Sequence, residues 1–335
     1  MTIAIFRLPQ VVLTELVDVL FPEEIFILSL CSQKSFQTLQ STIRKSTKLN
    51  IQLRVTDGNI MIGYNANGRK GRFMHVLNTT QCYFPFLERA TFGHNRALID
   101  YNITHKTWNT YWVCAIDGMK LVMDHITSLY CRDIHSVEIY RISYNFDALV
   151  LDWIDSRQNS LSYLYFPYIC SQNYQKILNW KSVDHLETEL YIPTDLPAYE
   201  HGFGARKSVY FKNAGWITVR HLMKMDQVEI ILEDSEFKNS SVRKFLKNWI
   251  LERGNPRLRL LQVETSASFD LEKVLRSFGK FMVEGVAVRE YTSQRDMAYH
   301  YSITGGQELR RPDGATVVLQ WYGMLTMFFY PPRSD

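Results

Sequence analysis

The stretch from Phe6 to Phe36, FRLPQVVLTELVDVLFPEEIFILSLCSQKSF, restricts what this chain can fold into more than any other segment. It is dense in apolar residues, but charges and prolines interrupt it, so it cannot cross a membrane as one helix. It is also too short to bury its own apolar surface. The stretch must therefore pack against something else, either the rest of the chain or another protein.

Three short helices are predicted within this stretch. The first presents one apolar face through the spacing of Leu13, Leu16, Val17 and Leu20. Pro22 and the two glutamates after it suit the first turn of a second helix, because proline needs no hydrogen-bond partner there and carboxylates favour the positive helix end. The helical spacing then continues into a third helix through Phe36, Leu39 and Ile43.

A surplus of apolar side chains falls on the other faces of these helices: Leu8, Val11, Val12, Phe26, Ile27 and Leu30. Burial of each large aliphatic side chain contributes roughly 1.5–3 kcal/mol, so several exposed ones are a strong driving force for association. Periodicity alone leaves both partners open, the remainder of this chain or a second polypeptide.

The residue pattern of this segment resembles an F-box. Both prolines and the Leu-Ser-Leu-x-Ser element that begins at Leu28 stand at the expected spacing. The resemblance rests on Leu8, Pro9, Val12, Leu13, Glu15, Leu16, Leu20, Pro22, Glu24, Leu28, Ser29, Leu30, Cys31, Ser32 and Ser35. F-box domains imply docking on the Skp adaptor of a cullin–RING ubiquitin ligase, and on this reading part of the helical core belongs to another protein.

The resemblance covers roughly residues 5–45, so we expect an F-box domain over residues 1–45 and a substrate-recruiting domain over residues 46–335. It implies adaptor contacts through the Leu8-Pro9 dipeptide and the helix faces after it. The adaptor-binding residues expected on this basis are Leu8, Pro9, Val12, Leu13, Leu16, Leu20, Pro22, Ile25, Leu28 and Leu30.

Short strands and turns are predicted after the helices. Three runs alternate or are rich in β-formers: Asn50–Val55, Gly58–Tyr64 and Arg72–Leu77. Asn67-Gly68 is a hairpin turn signal. The basic cluster Arg69-Lys70-Gly71-Arg72 is interpreted as a solvated hairpin tip, with a nucleic-acid contact as the alternative. Residues 78–130 are irregular and rich in aromatics, and no elements are assigned there.

From residue 135 onward, strand-like runs alternate with helix-like runs. The strand-like runs are Ser136–Ser143, Ser160–Phe166, Leu186–Ile192, Lys207–Asn213, Val228–Asp234 and Leu258–Glu264. The helix-like runs are Phe146–Arg157, Asn173–Trp180, Trp216–Met225 and Ser240–Leu251. In the last of these, Ser240 or Ser241 is expected to cap a helix whose apolar face consists of Val242, Phe245, Leu246, Trp249 and Ile250.

Strand starts in this region recur about every 20–30 residues, which is the scale of leucine-rich α/β repeats. The spacing is uneven and the consensus leucine/asparagine pattern is missing. The expected fold is therefore α+β or α/β, with a three-helix F-box followed by an irregular, leucine-rich-repeat-like α/β region that has antiparallel β-elements at both ends. A compact α/β domain with right-handed β-α-β connections is the alternative.

The C-terminal end reads as an antiparallel meander built from Ala298–Thr304, Ala315–Trp321 and Met324–Pro332. A second resemblance lies in this half of the chain, to the F-box-associated region of a large protein family expanded in nematodes. It rests on Gly215–Asp226, Glu229–Ser235, Arg243–Ile250, Arg257–Glu264 and Arg310–Leu319. Members of that family are regarded as F-box proteins that recruit substrates.

Composition and motifs give no sign of an enzyme. The 46% hydrophobic content, 21% charged content and net charge of +4 describe a globular chain without the concentrated basic character of a nucleic-acid binder. His201–Ser208 has a passing likeness to a phosphate loop, but Arg206 stands where a Walker A motif needs glycine before Lys207. No catalytic, cofactor-binding or metal-ligating set emerges.

The cysteines and the absence of a signal peptide or long apolar run favour a cytoplasmic or nuclear protein that does not enter membranes. The five cysteines form no CxxC pair, and reduced, mostly buried thiols are expected. The sequence thus predicts a non-catalytic substrate-recognition subunit of an SCF-type (Skp–cullin–F-box) E3 ubiquitin ligase, with the Skp adaptor and an unidentified protein substrate as partners. The alternative is a non-ligase α/β scaffold that binds proteins or nucleic acids.

Overall fold

A computed structural model describes residues 5–43, 48–56, 59–81, 87–140, 146–167, 177–178, 180, 183–189, 203–284, 288–295 and 299–332. The chain divides into two compact units, Met1–Leu161 and Ser162–Asp335. Both units contain helices and strands, which confirms the mixed α/β class. The domain boundary predicted at residue 45 stays a prediction.

Three helices open the first unit, as the sequence predicts: α1 (Gln10–Val19), α2 (Pro22–Ser29) and α3 (Gln33–Thr42). α2 begins at Pro22, and the Glu24 carboxylate accepts a 2.8 Å hydrogen bond from the backbone N–H of Phe21, which satisfies one orphan donor of the first turn. α3 is capped by Ser32, whose Oγ accepts a 3.0 Å hydrogen bond from the backbone N–H of Ser35.

The described strands of the first unit have the order β7-β1-β2-β3-β6-β5-β4. Their bounds are β1 (Leu49–Thr56), β2 (Asn59–Ala66), β3 (Arg69–Asn78), β4 (Glu88–Phe92), β5 (Asn95–Asn102), β6 (Thr107–Trp112) and β7 (Ile134–Ile139). β1 with β7 and β3 with β6 pair in parallel, and the other neighbours pair antiparallel. The predicted hairpin turn is confirmed, since Asn67 and Gly68 both have positive φ (51° and 83°).

Two longer helices complete this unit, α4 (Ala115–Tyr130) and α5 (Phe146–Arg157). α4 and the strands β4 to β6 occupy the region to which the sequence analysis assigned no element. α4 buries an amphipathic face that includes Met119, Val122, Met123 and Ile126. Sequence analysis predicted α5 with the same bounds.

Part of the apolar surplus of the N-terminal helices is buried against this unit. Phe26 of α2 is fully buried, and its ring packs edge-on against Phe73 of β3 and His125 of α4, with centroid distances of 5.7 and 5.8 Å. Phe36 of α3 also packs against His125, at 4.7 Å. The same chain therefore supplies the partner of Phe26, whereas Val11 and Val12 remain exposed.

The second unit has the strand order β13-β16-β17-β18-β12-β11-β10-β9-β8, with β14 and β15 as a separate antiparallel pair. Neighbours from β9 to β12 pair in parallel. The bounds are β8 (Leu161–Phe166), β9 (Val183–Thr188), β10 (Ser208–Phe211), β11 (Glu229–Phe237), β12 (Leu260–Thr265), β13 (Met282–Val283), β14 (Arg289–Thr292), β15 (His300–Ile303), β16 (Gln307–Arg310), β17 (Thr316–Tyr322) and β18 (Met324–Tyr330).

The described helices of this unit are α6 (Val219–Lys224), α7 (Asn239–Lys247), which continues as a π-turn (Asn248–Glu252), and α8 (Leu271–Leu275). The apolar face predicted for α7 and its extension is confirmed, because all five of its members are buried. The predicted serine cap is wrong, since the helix begins at Asn239 and the preceding Lys238 gives no side-chain cap. The predicted helix Asn173–Trp180 lies largely outside the described residues.

Two further expectations need correction. Residues of the predicted strand Ala298–Thr304 do not join the C-terminal meander: β15 pairs with β14, and the meander consists of β16, β17 and β18. The thiols of Cys31, Cys114 and Cys131 are free and exposed rather than buried, while Cys82 and Cys170 lie outside the described residues. The leucine-rich-repeat-like regularity stays a prediction.

In the described part of the chain, no helix has both the length and the apolar content that a bilayer crossing requires.

Phe26→Ala should destabilise the first unit by about 3–5 kcal/mol, the cost of removing a fully buried aromatic ring and leaving a cavity. Urea unfolding monitored by circular dichroism measures this change. Val11→Ala is the matched control, because its 75% exposed side chain predicts a change within about 0.5 kcal/mol. Equal midpoints for Phe26→Ala and the wild type would contradict this packing.

Candidate functional site

The outer surface of α1 carries an exposed apolar ridge, which we define as Pro9, Val12, Leu16 and Val19. The last three stand four and then three residues apart, so they share one helix face. Val12 and Val19 are 48% and 73% exposed, Pro9 is exposed and Leu16 is half-buried. Contiguous apolar surface of this kind is typical of protein interaction sites.

The residues predicted to bind the adaptor fall into three classes of exposure. Pro9 and Val12 are exposed, whereas Leu13 and Ile25 are buried inside the helical bundle. The half-buried ones are Leu8, Leu16, Leu20, Pro22, Leu28 and Leu30. A partner would therefore meet Pro9, Val12 and the half-buried side chains directly, while Leu13 and Ile25 would support the helices from within. The set as a whole stays a prediction.

α2 is fixed to the strand pair β2–β3 by polar contacts around Glu23. The Glu23 carboxylate accepts a short hydrogen bond from the Tyr64 hydroxyl and lies 3.6 Å from the Arg69 guanidinium. The same guanidinium stacks on the Phe21 ring, 3.3 Å from its centroid. Arg69 therefore braces the bundle, which fits the interpretation of the basic cluster as a hairpin tip.

Burial and the hydrogen bond to Glu23 raise the pKa of the Tyr64 hydroxyl well above its ordinary value, so it remains a donor. A further hydrogen bond, 2.6 Å long, runs from the Tyr130 hydroxyl of α4 to the carbonyl of Pro22. These contacts join α2 to the rest of the unit. The ridge on α1 is left facing solvent.

His125 stands at the centre of the contact between the bundle and α4. Its Nε2 lies 2.7 Å from the Ser29 hydroxyl, and the rings of Phe26, Phe36 and Phe92 surround it. Burial lowers the pKa of His125 from 6.5 to about 4, because the charged imidazolium loses its hydration. The folded chain therefore holds this imidazole neutral near pH 7.

The stability of the first unit should fall as pH drops from about 6.5 toward 4, because the unfolded chain binds the His125 proton first. The expected slope from this group is up to about 1.4 kcal/mol per pH unit, and above pH 6.5 its contribution is complete. Chemical denaturation at several pH values should show a shallower slope for His125→Gln. Exposed His94→Gln should leave the slope unchanged; a similar flattening in both variants would contradict this assignment.

The second unit presents a polar face on its parallel strands. Glu187, Tyr210, Ile231 and Gln262 stand opposite one another on β9, β10, β11 and β12. Side chains alternate between the faces of a strand, so the neighbours of these residues point the other way. Those neighbours are buried apolar residues, including Leu186, Val209, Leu232 and Leu261. One face of the strands thus forms core, and the other displays polar and aromatic groups.

The β14–β15 hairpin is anchored on this face by the buried carboxylate of Glu229. The carboxylate accepts hydrogen bonds from the Tyr291 hydroxyl at 2.6 Å, the Ser293 hydroxyl at 3.0 Å and the backbone N–H groups of Gln294 and Arg295. Burial, followed by the hydrogen bond to Glu229, raises the pKa of Tyr291 well above its ordinary value. The fully buried Glu229 carboxylate is thus hydrogen-bonded by β14 and by the connection between β14 and β15.

A cavity of about 560 Å³ lies where the hairpin meets the strands. Its floor includes Glu187, Tyr210, Glu233 and Gln262, and the hairpin side includes Arg295, Tyr299 and Tyr301. Its size is typical of ligand pockets, but its lining is more polar than usual, because all four of its aromatic residues are tyrosines and two glutamates lie among them. Sequence analysis assigned none of these residues to a site. The available signal was the succession of a buried apolar residue and a polar one, as in Leu186-Glu187 of β9 and Leu232-Glu233 of β11.

Arg206, the residue that breaks the phosphate-loop pattern, has a structural role. It is 2% exposed, and its Nη2 donates to the carbonyls of Ile177 at 2.9 Å, Leu178 at 3.0 Å and Trp180 at 3.1 Å. Within residues 203–208, which the structure describes, these contacts give Arg206 a structural role at the position where a Walker A motif needs glycine.

Glu229→Gln should loosen the β14–β15 hairpin, because an amide offers N–H donors where the hairpin's own donors converge. One unsatisfied buried donor costs about 1–3 kcal/mol, so amide exchange at Gln294 and Arg295 should accelerate about tenfold or more. Hydrogen–deuterium exchange measures this. Exposed Glu272→Gln on α8 makes the same charge change and should leave the hairpin's exchange at the wild-type rate. Wild-type exchange in Glu229→Gln would disprove the anchor.

Comparison with known families identifies part of this unit. Residues 204–263 match the family described as F-box associated, which is typical of nematode F-box proteins. The matched segment contains β10, β11 and β12, and thus contributes Tyr210, Glu233 and Gln262 to the cavity. This confirms the second resemblance over that range. Neither the curated proteins nor the solved structures include a significant match to the chain.

Proposed function

Because residues 204–263 are an F-box-associated domain, we propose that this chain is the substrate-recognition subunit of an SCF-type E3 ubiquitin ligase. The proposal assigns the three N-terminal helices to the Skp adaptor and the F-box-associated part of the chain to a target protein. The observation that carries it is the combination, in one chain, of that domain with an N-terminal three-helix bundle whose first helix keeps an apolar ridge in solvent.

The bundle supports adaptor docking because different helices contact the rest of the unit and face the solvent. Contacts to the strands and to α4 come from α2 and α3, through Phe26, Phe36 and Glu23. α1 contributes Leu13 and Val17 to the interior and exposes Pro9, Val12 and Val19. A second protein could therefore bury the ridge without displacing any described contact between the bundle and the strands.

The proposed mechanism is proximity, without bond-breaking chemistry by this chain. The adaptor fixes one end of the receptor to the ligase, and the other end holds a target close to the charged ubiquitin carrier. Tethering raises the effective concentration of the target lysines to the millimolar range for short, flexible connections. The function we propose is accordingly non-catalytic, and its setting is the cytoplasm or the nucleus.

We also propose that the second unit has the leucine-rich-repeat-like organisation expected from the sequence, with parallel strands that alternate with helices. In such an arrangement the helices cover one face of the strands, and the opposite face is available to a ligand. The polar face of β9 to β12 fits this description at the cavity beside the β14–β15 hairpin.

The alternative function is a scaffold in which the N-terminal helices only cap the first unit. The burial of Phe26 against Phe73 is the observation that favours it. Deletion of residues 1–45 would not separate the two functions, because it would expose Phe73 and destabilise the unit in both. A substitution on the solvent-facing ridge does separate them, since a mere cap has no need of that surface.

Val12→Glu should weaken binding to a purified Skp adaptor about 100-fold or more, because a carboxylate would enter an apolar interface. Isothermal titration calorimetry measures the change, and Leu8→Ala combined with Pro9→Ala should abolish capture of the adaptor in a pull-down. Val113→Glu is the matched control, since Val113 is 86% exposed in the same unit but lies outside the ridge. Undiminished adaptor binding by both ridge variants would refute the docking site.

A further inference from the structure

The cavity beside the β14–β15 hairpin carries more negative than positive charge. Two carboxylates, Glu187 and Glu233, and one guanidinium, Arg295, line it, so the formal sum is −1. The buried Glu229 carboxylate lies on the same face of the strands and adds to the negative potential. His185 of β9 lies opposite Ser208 of β10, two residues before the pair Glu187 and Tyr210. Because burial lowers the pKa of His185, it adds no positive charge near pH 7.

The cavity already holds one cation of its own. The Nη2 of Arg295 lies 2.7 Å from the Glu187 carboxylate, and its Cζ is 4.3 Å from the centroid of the Tyr210 ring. A carboxylate paired with an aromatic face is the environment that a guanidinium prefers. The floor of the cavity is therefore complementary to a cationic side chain, as its contacts with Arg295 show.

The second carboxylate has no such counterion. Glu233 is half-buried, accepts a hydrogen bond from the Tyr210 hydroxyl and forms no ion pair among the described residues. Tyr301 and the 65% exposed Tyr299 stand on the hairpin side of the same cavity. A carboxylate that shares a partly desolvated cavity with tyrosine rings gains from a second cation more than a surface carboxylate does.

An anionic ligand fits this cavity less well. Arg295, the cation that lines it, is already neutralised by Glu187 at 2.7 Å, and an incoming phosphate or carboxylate would meet Glu233 at close range. Like charges brought together in a partly buried site cost several kcal/mol. The charge balance thus selects a cationic occupant over an acidic one.

We propose that this cavity is a recognition site for a basic segment of a target protein, and that it binds the cationic side chain of an arginine or lysine between Glu233 and the tyrosines of the hairpin. The inference rests on the proposed function, because it names the class of substrate segment that the receptor would select. The cavity volume of about 560 Å³ exceeds the needs of one side chain and leaves room for its neighbours in the segment.

The test uses the full-length chain and a fluorescein-labelled tetra-arginine peptide, with binding measured by fluorescence anisotropy. Tetra-citrulline, the uncharged isostere, should not bind detectably at the same concentrations. Glu233→Gln keeps the shape of the side chain and removes its charge, so the Kd for tetra-arginine should rise about tenfold. Glu272→Gln makes the same change in net charge outside the cavity and should leave the Kd unchanged.

Arg295→Gln should change the Kd for tetra-arginine in the opposite direction from Glu233→Gln. It frees Glu187 for the ligand and makes the cavity more negative, so the Kd for tetra-arginine should fall severalfold. Binding of tetra-citrulline as strong as that of tetra-arginine would overturn the proposal. The same holds for a wild-type Kd in Glu233→Gln, for an equal loss in Glu272→Gln, or for tighter binding of a tetra-glutamate peptide.

Adaptor binding separates this inference from the proposed function. Glu233→Gln should capture the Skp adaptor as the wild type does, and Val12→Glu should bind tetra-arginine with the wild-type Kd. A wild-type chain that captures the adaptor but does not bind tetra-arginine would overturn the basic-segment inference alone. Normal peptide recognition in a chain that fails to capture the adaptor would overturn the ligase role alone.

Discussion

The two-residue alternation of side chains along β9 to β12 is the constraint on which the second unit depends. Parallel strands usually have both faces covered, and their sequences are then continuously apolar. Here one set of positions is apolar and packs into the core, while the other set carries charged and phenolic groups. Such strands cannot accept an apolar layer on both sides. The polar side is covered instead by a small hairpin. The buried Glu229 carboxylate holds this hairpin through hydrogen bonds, and Ile303 of the hairpin packs in an apolar cluster with Leu260 and Phe328.

The N-terminal helices differ from these strands, because they have more apolar surface than three short helices can enclose. The structure divides that surplus. Its aromatic member, Phe26, is buried against Phe73 of β3 and against His125 of α4, whose imidazole is neutral near pH 7. The aliphatic part on α1 stays in solvent. This division explains how the bundle can be an integral piece of the first unit and still present a surface for another protein.

Sequence analysis predicted the three helices, the first three strands and most of the later strands, because each carries a clear period and a turn or cap beside it. It assigned nothing to α4, although Met119, Val122, Met123 and Ile126 have helical spacing, since the aromatic-rich context obscured the period. The cavity could not be predicted, because its lining converges from five strands and a hairpin far apart in sequence. The place of the β14–β15 hairpin on the strands involves tertiary contacts that no local pattern encodes, the hydrogen bonds to Glu229 and the packing of Ile303.

The valines left in solvent on α1 have a consequence for the chain before it meets a partner. An exposed aliphatic strip on a helix associates nonspecifically with other apolar surfaces. Newly synthesised copies would therefore tend to aggregate or to bind chaperones. Production in balance with a companion protein would keep that strip covered. The abundance of this molecule in a cell would then depend on how much of that companion is available.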